Sequence, residues 1–267
     1  MTTAMARFEG DIPAHYDQYL GPVLFEHYAT DLAKRAASPA VNDLLELAAG
    51  TGIVTDELQS RLAPGARIWA TDLNGDMLRH AEKRLGQRDG LTLQTADAGA
   101  LDFPDQQFDA IACQFGVMFF PDKVGAFKEA LRVLKPGGRY VFNVWSSWET
   151  NPFAAIANRA IAPLIGPDEP SFYAVPFSYC DENRVLSDLA AAGFDDVSVE
   201  TVSHEHRATD LGDFARGLVL GNPVVDQLHR NQGDVDAAID ALQFAFEDTF
   251  GSAGQIPLEA IVFEARR

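Results

Sequence analysis

Leu45-Glu46-Leu47-Ala48-Ala49-Gly50-Thr51-Gly52, followed by Ala70-Thr71-Asp72-Leu73-Asn74, is the stretch whose reading decides the fold of this chain. The run from Asp43 to Leu47 reads as a buried strand. It stops at a turn of small residues, and a helical pattern begins after Gly52. Twenty residues beyond Gly52, a second apolar stretch, Ile68-Trp69-Ala70, ends in an acid, Asp72. Strand, tight turn, helix and a second strand ending in a carboxylate make the first half of a nucleotide-binding α/β unit. The turn lets backbone approach a ligand closely, and a carboxylate accepts hydrogen bonds from both hydroxyls of a ribose. The pattern points to an adenosine-containing cofactor.

Outward from this unit the rhythm continues. The spacing predicts strands at 43–48, 67–72, 91–95, 108–113 and 139–145. Between them it predicts helices around 52–62, 75–86 and 122–134, the last ending at Lys135-Pro136-Gly137-Gly138. Such alternation argues for a parallel sheet covered by helices on both faces. After Trp145 the rhythm breaks into a segment with Pro152, Pro163, Pro167, Pro170 and Pro176 and many aromatics. A helix starting at the N-cap Asp181 and ending before Gly193 restores it, followed by a strand at 196–204. Residues 209–250 read as a helical insertion whose stripe is Val235, Ile239, Leu242, Phe246 and Phe250, and 258–265 as a final strand. Residues 1–40 read as helical, with Pro22 as punctuation. The expectation is one domain over 1–267, with a core at 41–146, 181–204 and 258–265. A helical cap is expected from 1–40, 147–180 and 205–257. The sheet should have seven strands, the last antiparallel and inserted beside 139–145, because no clean right-handed crossover precedes it.

The formal net charge of −18 argues against a nucleic-acid partner and against anionic membrane surfaces. No uncharged apolar stretch is long enough to span a membrane. The start, MTTAMARFEGDIP, does not read as a secretory leader, and two cysteines, Cys113 and Cys180, make no disulfide framework. A cytoplasmic setting is the simplest expectation; the oligomeric state stays open.

In these residues the chain resembles the class I S-adenosylmethionine-dependent methyltransferases, particularly the small-molecule branch that includes ubiquinone and menaquinone biosynthesis enzymes. That family's first motif is an acid followed by three glycines at alternate positions; here the acid is Glu46 and the slots hold Ala48, Gly50 and Gly52. Alanine keeps the turn provided that slot needs no positive φ. Three further elements match in order: Asp72, then Asp97-Ala98, then Phe108-Asp109-Ala110-Ile111-Ala112-Cys113-Gln114-Phe115 with Ala130 to Gly138. The resemblance implies a Rossmann-like fold and S-adenosylmethionine as cofactor, leaving as S-adenosylhomocysteine. It places ribose on Asp72, adenine on Asp97 and the Ala98 N–H between Leu73 and Met77, and the methionine end near Glu46. Gln114 and Phe115 would then lie under the transfer site.

Other readings compete. A dinucleotide fingerprint needs a third glycine where Thr55 stands, and its pyrophosphate would face Glu46. His204-Glu205-His206 has no obvious third metal ligand, so no metal is expected. Methyl transfer to a small acceptor is in-line displacement at an activated sulfonium, so a general base is optional. The candidates for one are His15, Tyr16, Tyr19, Tyr179, His204 and His206. An aromatic-rich cap (Phe153, Phe172, Tyr173, Phe177, Tyr179, Phe214, Phe244, Phe246) points to an apolar or aromatic acceptor. The alternative from another class is a regulatory or assembly protein that binds the cofactor without transferring methyl. The segment Ile12 to Tyr28 is expected to act as a mobile lid.

Overall fold

The parallel half of the sheet begins where the sequence places it. The computed structural model describes residues 7–166, 170–251 and 254–267; Pro167 and the first six residues of the N-terminal stretch lie outside these. The strands are β1 (Asp43–Leu47), β2 (Arg67–Asp72), β3 (Leu91–Thr95), β4 (Phe108–Gln114), β5 (Leu134–Trp145), β6 (Asp196–Arg207) and β7 (Gln255–Arg266). They form one seven-stranded sheet in the order β3-β2-β1-β4-β5-β7-β6. The first five are parallel, and β7 runs antiparallel to both β5 and β6. The direction of winding reverses between β1 and β4, the switch point at which open α/β sheets bind ligands.

Ten α-helices surround the sheet among the described residues. In chain order they are α1 (Ile12–His15), α2 (Glu26–Ala36), α3 (Ile53–Gln59), α4 (Gly75–Leu85), α5 (Lys123–Val133), α6 (Pro152–Ile165), α7 (Glu182–Ala192), α8 (Leu211–Leu220), α9 (Val224–Arg230) and α10 (Val235–Phe250). Short polar residues start several of them: Asp122, Asp181, Asp210 and Asp234 each accept from backbone N–H groups of the first turn. Along α10, Ile239, Leu242 and Phe246 of the predicted stripe are buried. The insertion at 209–250 is three helices, because Gly221-Asn222-Pro223 and the turn before Asp234 interrupt it.

Two readings of the N-terminal region need correction. Pro22 does not end a helix. It lies inside a π-helix, Tyr16–Phe25, that joins α1 to α2 without a break. The wider turn accommodates a residue that donates no hydrogen bond. The segment to Tyr28 is also too long for a lid. Tyr28 is fully buried, its ring edge-on to Phe115 and Trp145, and Ala29, Leu32, Ala33 and Ala36 of α2 pack into the same core.

Part of the family-like sequence pattern is structural. Asp109 Oδ2 accepts from the backbone N–H of Asn42 and of Asp43, both at 2.9 Å. Lys135 Nζ lies 2.7 Å from Asp109 and 3.2 Å from Asp43. This cluster pins β1, β4 and β5 together at their amino ends, the edge opposite the switch point. The Pro-Gly-Gly turn interrupts the β4–β5 register and clasps the C-terminus, Gly137 N donating to Arg267 O at 2.9 Å.

Candidate functional site

A cavity of about 310 Å³ opens at the carboxyl ends of β1, β2, β3 and β4. Its walls include Ala48, Gly50, Asp72, Leu73, Met77, Asp97, Ala98, Gln114 and Phe115. Nine of the eleven residues expected to meet a cofactor therefore surround one space. Glu46 and Gly52 do not line it. Glu46 is buried under the turn, where Thr55 Oγ1 donates to its Oε2 at 2.7 Å. Burial and the nearby Asp72 charge push its carboxyl up to about 8, against the Thr55 bond. Gly52 has φ +84 and starts α3; a Cβ there would lie 2.8 Å from the Leu85 side chain, so this glycine lets α3 approach α4.

The first glycine slot does need a positive φ. Ala48 stands at φ 53, in the left-handed region, so alanine holds the turn at a conformational cost of about 1 kcal/mol. Phe115 is likewise left-handed, at φ 50. Its N–H donates to Asn143 Oδ1 at 2.9 Å, and its ring stacks on Trp145 with centroids 4.0 Å apart. Packing and one buried amide thus hold a strained aromatic where β4 ends.

Asp72 sits at the centre of the polar end. Its Oδ2 accepts from Gly50 N at 2.9 Å; its Oδ1 accepts from Asn74 N at 2.8 Å and Asn74 Nδ2 at 3.3 Å. Burial raises its pKa, while these donors oppose the shift. The Leu73 N–H adds a further donor, and Asp72 still borders the cavity. Gln114 Nε2 donates to Phe25 O at 3.2 Å, which leaves its buried Oε1 without a partner. Asp97 Oδ1 accepts from Gly99 N at 2.8 Å, shaping the loop that presents Ala98.

Of the six catalytic candidates only Tyr16 lines the cavity. Its ring stacks on Phe25 at 4.6 Å, and burial with the Asp72 and Asp17 charges raises its pKa, so it remains a neutral phenol. His15 stacks on Tyr19, and neither lines this cavity or the smaller one beside it. Tyr179 donates to Asp188 Oδ2 at 2.7 Å beneath Lys123 and Arg184. His204 and His206 lie on the edge strand β6, where His204 stacks on His27 at 3.8 Å. Among the described residues no cluster of three or more His, Cys, Asp or Glu side chains is placed to hold a metal.

A second, smaller cavity of about 60 Å³ adjoins the first and shares Phe8, Tyr16, Phe115 and Phe119 with it. Among the described residues no charged side chain lines it. Phe153, Phe172, Tyr173 and Phe177 of the expected aromatic cap do; Tyr179, Phe214, Phe244 and Phe246 do not. Phe214 and Phe246 stack on each other inside the helical cap, and Phe244 is exposed. The residues missed from sequence include Phe8, Leu20, Leu24, Phe25, Met118 and Trp145. Leu20 and Leu24 share a helical face, which is a readable pattern; Phe8 had none.

Residues 45–142 match the family described as a methyltransferase domain. A ubiquinone/menaquinone biosynthesis C-methyltransferase of Pseudomonas fluorescens is 30% identical over 179 residues, 61% of this chain and 68% of that one. The chain belongs to the class I S-adenosylmethionine-dependent methyltransferases. The enzyme of the same name from Chromobacterium violaceum is 35% identical over 130 residues, 48% of this chain; the chain spans about half of that relative's length, 53%. The methyltransferase fold extends further than these alignments. A solved Haemonchus contortus phosphoethanolamine N-methyltransferase 2 superimposes with a TM-score of 0.60 over 96% of this chain and 56% of that one, at 17% identity. No described helix is long and apolar enough to cross a membrane.

Proposed function

We propose that this methyltransferase binds S-adenosylmethionine in the larger cavity and transfers its methyl group to a small, largely apolar or aromatic acceptor in the smaller one. The observation that supports this best is the junction: a larger cavity that carries the carboxylates of Asp72 and Asp97 meets a smaller aromatic one, and four residues wall both.

The residues present fit the cofactor. Asp72 would accept from the ribose hydroxyls, and Gly50, where a Cβ would meet open space, leaves room beside them. Asp97 would accept from the adenine amino group while the Ala98 N–H would donate to a ring nitrogen. Leu73 and Met77 would cover the base. Gln114 Oε1, which is buried without a partner, would accept from the ammonium of the methionine end. When bound, the cofactor supplies a methyl group already activated on a sulfonium sulfur. The chain's task is then alignment and exclusion of water. Phe115 and Tyr16 hold the acceptor in line, and the aromatic walls keep water out. Among the described residues no carboxylate, histidine or lysine lines the smaller cavity. The pocket therefore suits an acceptor that binds already ionised, such as an enolate or phenolate, whose proton has gone to water before transfer and, for transfer to carbon, whose ring proton goes to water afterwards. The names of the curated relatives agree with carbon as the accepting atom.

Calorimetric titration with S-adenosylmethionine and S-adenosylhomocysteine tests the first half: both should bind one per chain. Release of S-adenosylhomocysteine across a panel of phenols, enols and amines with apolar substituents tests the second. Binding with no turnover of any such acceptor would support a regulatory protein instead.

A further inference from the structure

Hydrogen bonds link Asp72 to two separate points of the N-terminal segment, and the chain itself closes the ring. On one side Gly50 N donates to Asp72, and the next residue, Thr51, donates from Oγ1 to Asp17 Oδ1 at 2.9 Å. On the other side Asn74 donates to Asp72, and its Oδ1 accepts from Phe8 N at 3.4 Å. Further ties follow the same direction. Gly10 N donates to Asp76 Oδ2 at 2.9 Å, and Asp17 meets Arg84 and, at 3.3 Å, His80 Nε2. Each of these contacts joins residues 8–17 to the turns flanking Asp72 or to α4, which begins at the second turn. The same segment contributes Phe8 and Tyr16, which wall both cavities.

We infer that Thr51 and Asn74 are positioning residues that couple cofactor binding at Asp72 to the seating of residues 8–17, so that the acceptor pocket is completed only after the cofactor is in place. The inference rests on the proposed function. A ribose diol on Asp72 fixes the carboxylate, and with it the Gly50 and Asn74 N–H groups that it accepts from. Two turns stiffened in this way lose less freedom when Phe8 and Asp17 dock on them. By linkage, the docked segment holds the cofactor more tightly in return.

Hydrogen exchange of peptides covering residues 7–25, with and without S-adenosylhomocysteine, tests this in the full chain. In the wild type the ligand should slow exchange there by at least about fivefold, the low end of measured couplings. Thr51→Val should keep the fold and bind the ligand, but lose most of that ligand-dependent slowing. Thr51→Ser, which restores the hydroxyl, should recover it. Asn74→Ala cuts the other arm and should act in the same direction. A merely structural role would speed exchange equally with and without ligand. Equal ligand-dependent slowing in wild type, Thr51→Val and Asn74→Ala would overturn the coupling. So would a wild type that binds ligand with no slowing. Failure of the wild type to bind S-adenosylhomocysteine at all would overturn the proposed function, and the coupling with it.

Discussion

The two ends of the site are built by different means. Over β1, β2 and β3 the wall is made by strand ends and the turns after them, and its polar groups are fixed by short local hydrogen bonds. Gly50, Asp72 and Asn74 lie within twenty-five residues of one another. Over β4 and β5 the wall is a set of aromatic rings drawn from the whole chain: Phe8, Phe25, Phe115, Trp145, Phe172 and Phe177. The first end is specified by hydrogen-bond geometry, which tolerates little change in residue type. The second is specified by volume and packing, which many sequences satisfy. A family can therefore keep one cofactor while its acceptor ends diverge.

The sharpest test of that contrast is Trp145→Ala. Trp145 is buried, stacks on Phe115 and packs against Tyr28, Phe153 and Phe177. Its loss should cost about 3–5 kcal/mol of stability, lowering Tm by on the order of 10 °C in a chain of this size. Because Trp145 touches only the smaller cavity, S-adenosylhomocysteine affinity at a temperature where the variant is folded should change by less than about threefold. A large loss of affinity would show that the two ends are not independent.

Asp72→Ala is the converse. It should weaken S-adenosylmethionine by at least about tenfold, since charge-assisted hydrogen bonds contribute about 1.5–3 kcal/mol each and water recovers part of that. Calorimetry on the folded variant decides; unchanged affinity would remove Asp72 from the ribose.

Glu46 gives a pH-dependent test of the polar end. Its carboxyl is raised by burial to about 8 in the folded chain, above the ordinary carboxylate range it has when unfolded. At pH below that range it is protonated in both states and costs nothing. As pH rises toward 8 the unfolded chain releases the proton first, so Glu46 progressively destabilises the fold. Glu46→Gln should therefore raise Tm more at pH 8 than at pH 5. Equal shifts at both pH values would mean that the carboxyl is ionised in the fold.

The smallest effect is expected from Ala48→Gly. Releasing alanine from φ 53 gains about 1 kcal/mol, while the freer unfolded chain takes back about 0.4–1 kcal/mol. Thermal melts should show a change of no more than a few degrees, upward if the strain dominates.

The sequence by itself determined the strands of the parallel half of the sheet and nine of the residues that line the larger cavity. These follow from local alternation and from turns a few residues long, where one strand end and the next lie at predictable spacing. It also gave the antiparallel final strand, because an insertion without a crossover leaves few other routes. Its record over the cap was mixed: four of its aromatics reach the smaller cavity and four do not. Pro22 read as a break because the sequence does not announce a π-helix that absorbs it. Tyr179, His204 and His206 carry reactive groups but face Asp188 or the sheet edge, and composition says nothing of direction. Only tertiary structure brought Phe8, Phe25 and Trp145 together, and only it showed that Glu46 turns away from the cavity toward Thr55. The physical reason is range. Backbone hydrogen bonds and turn conformations act between near neighbours, whereas an apolar pocket is made by whichever side chains packing brings to the same volume.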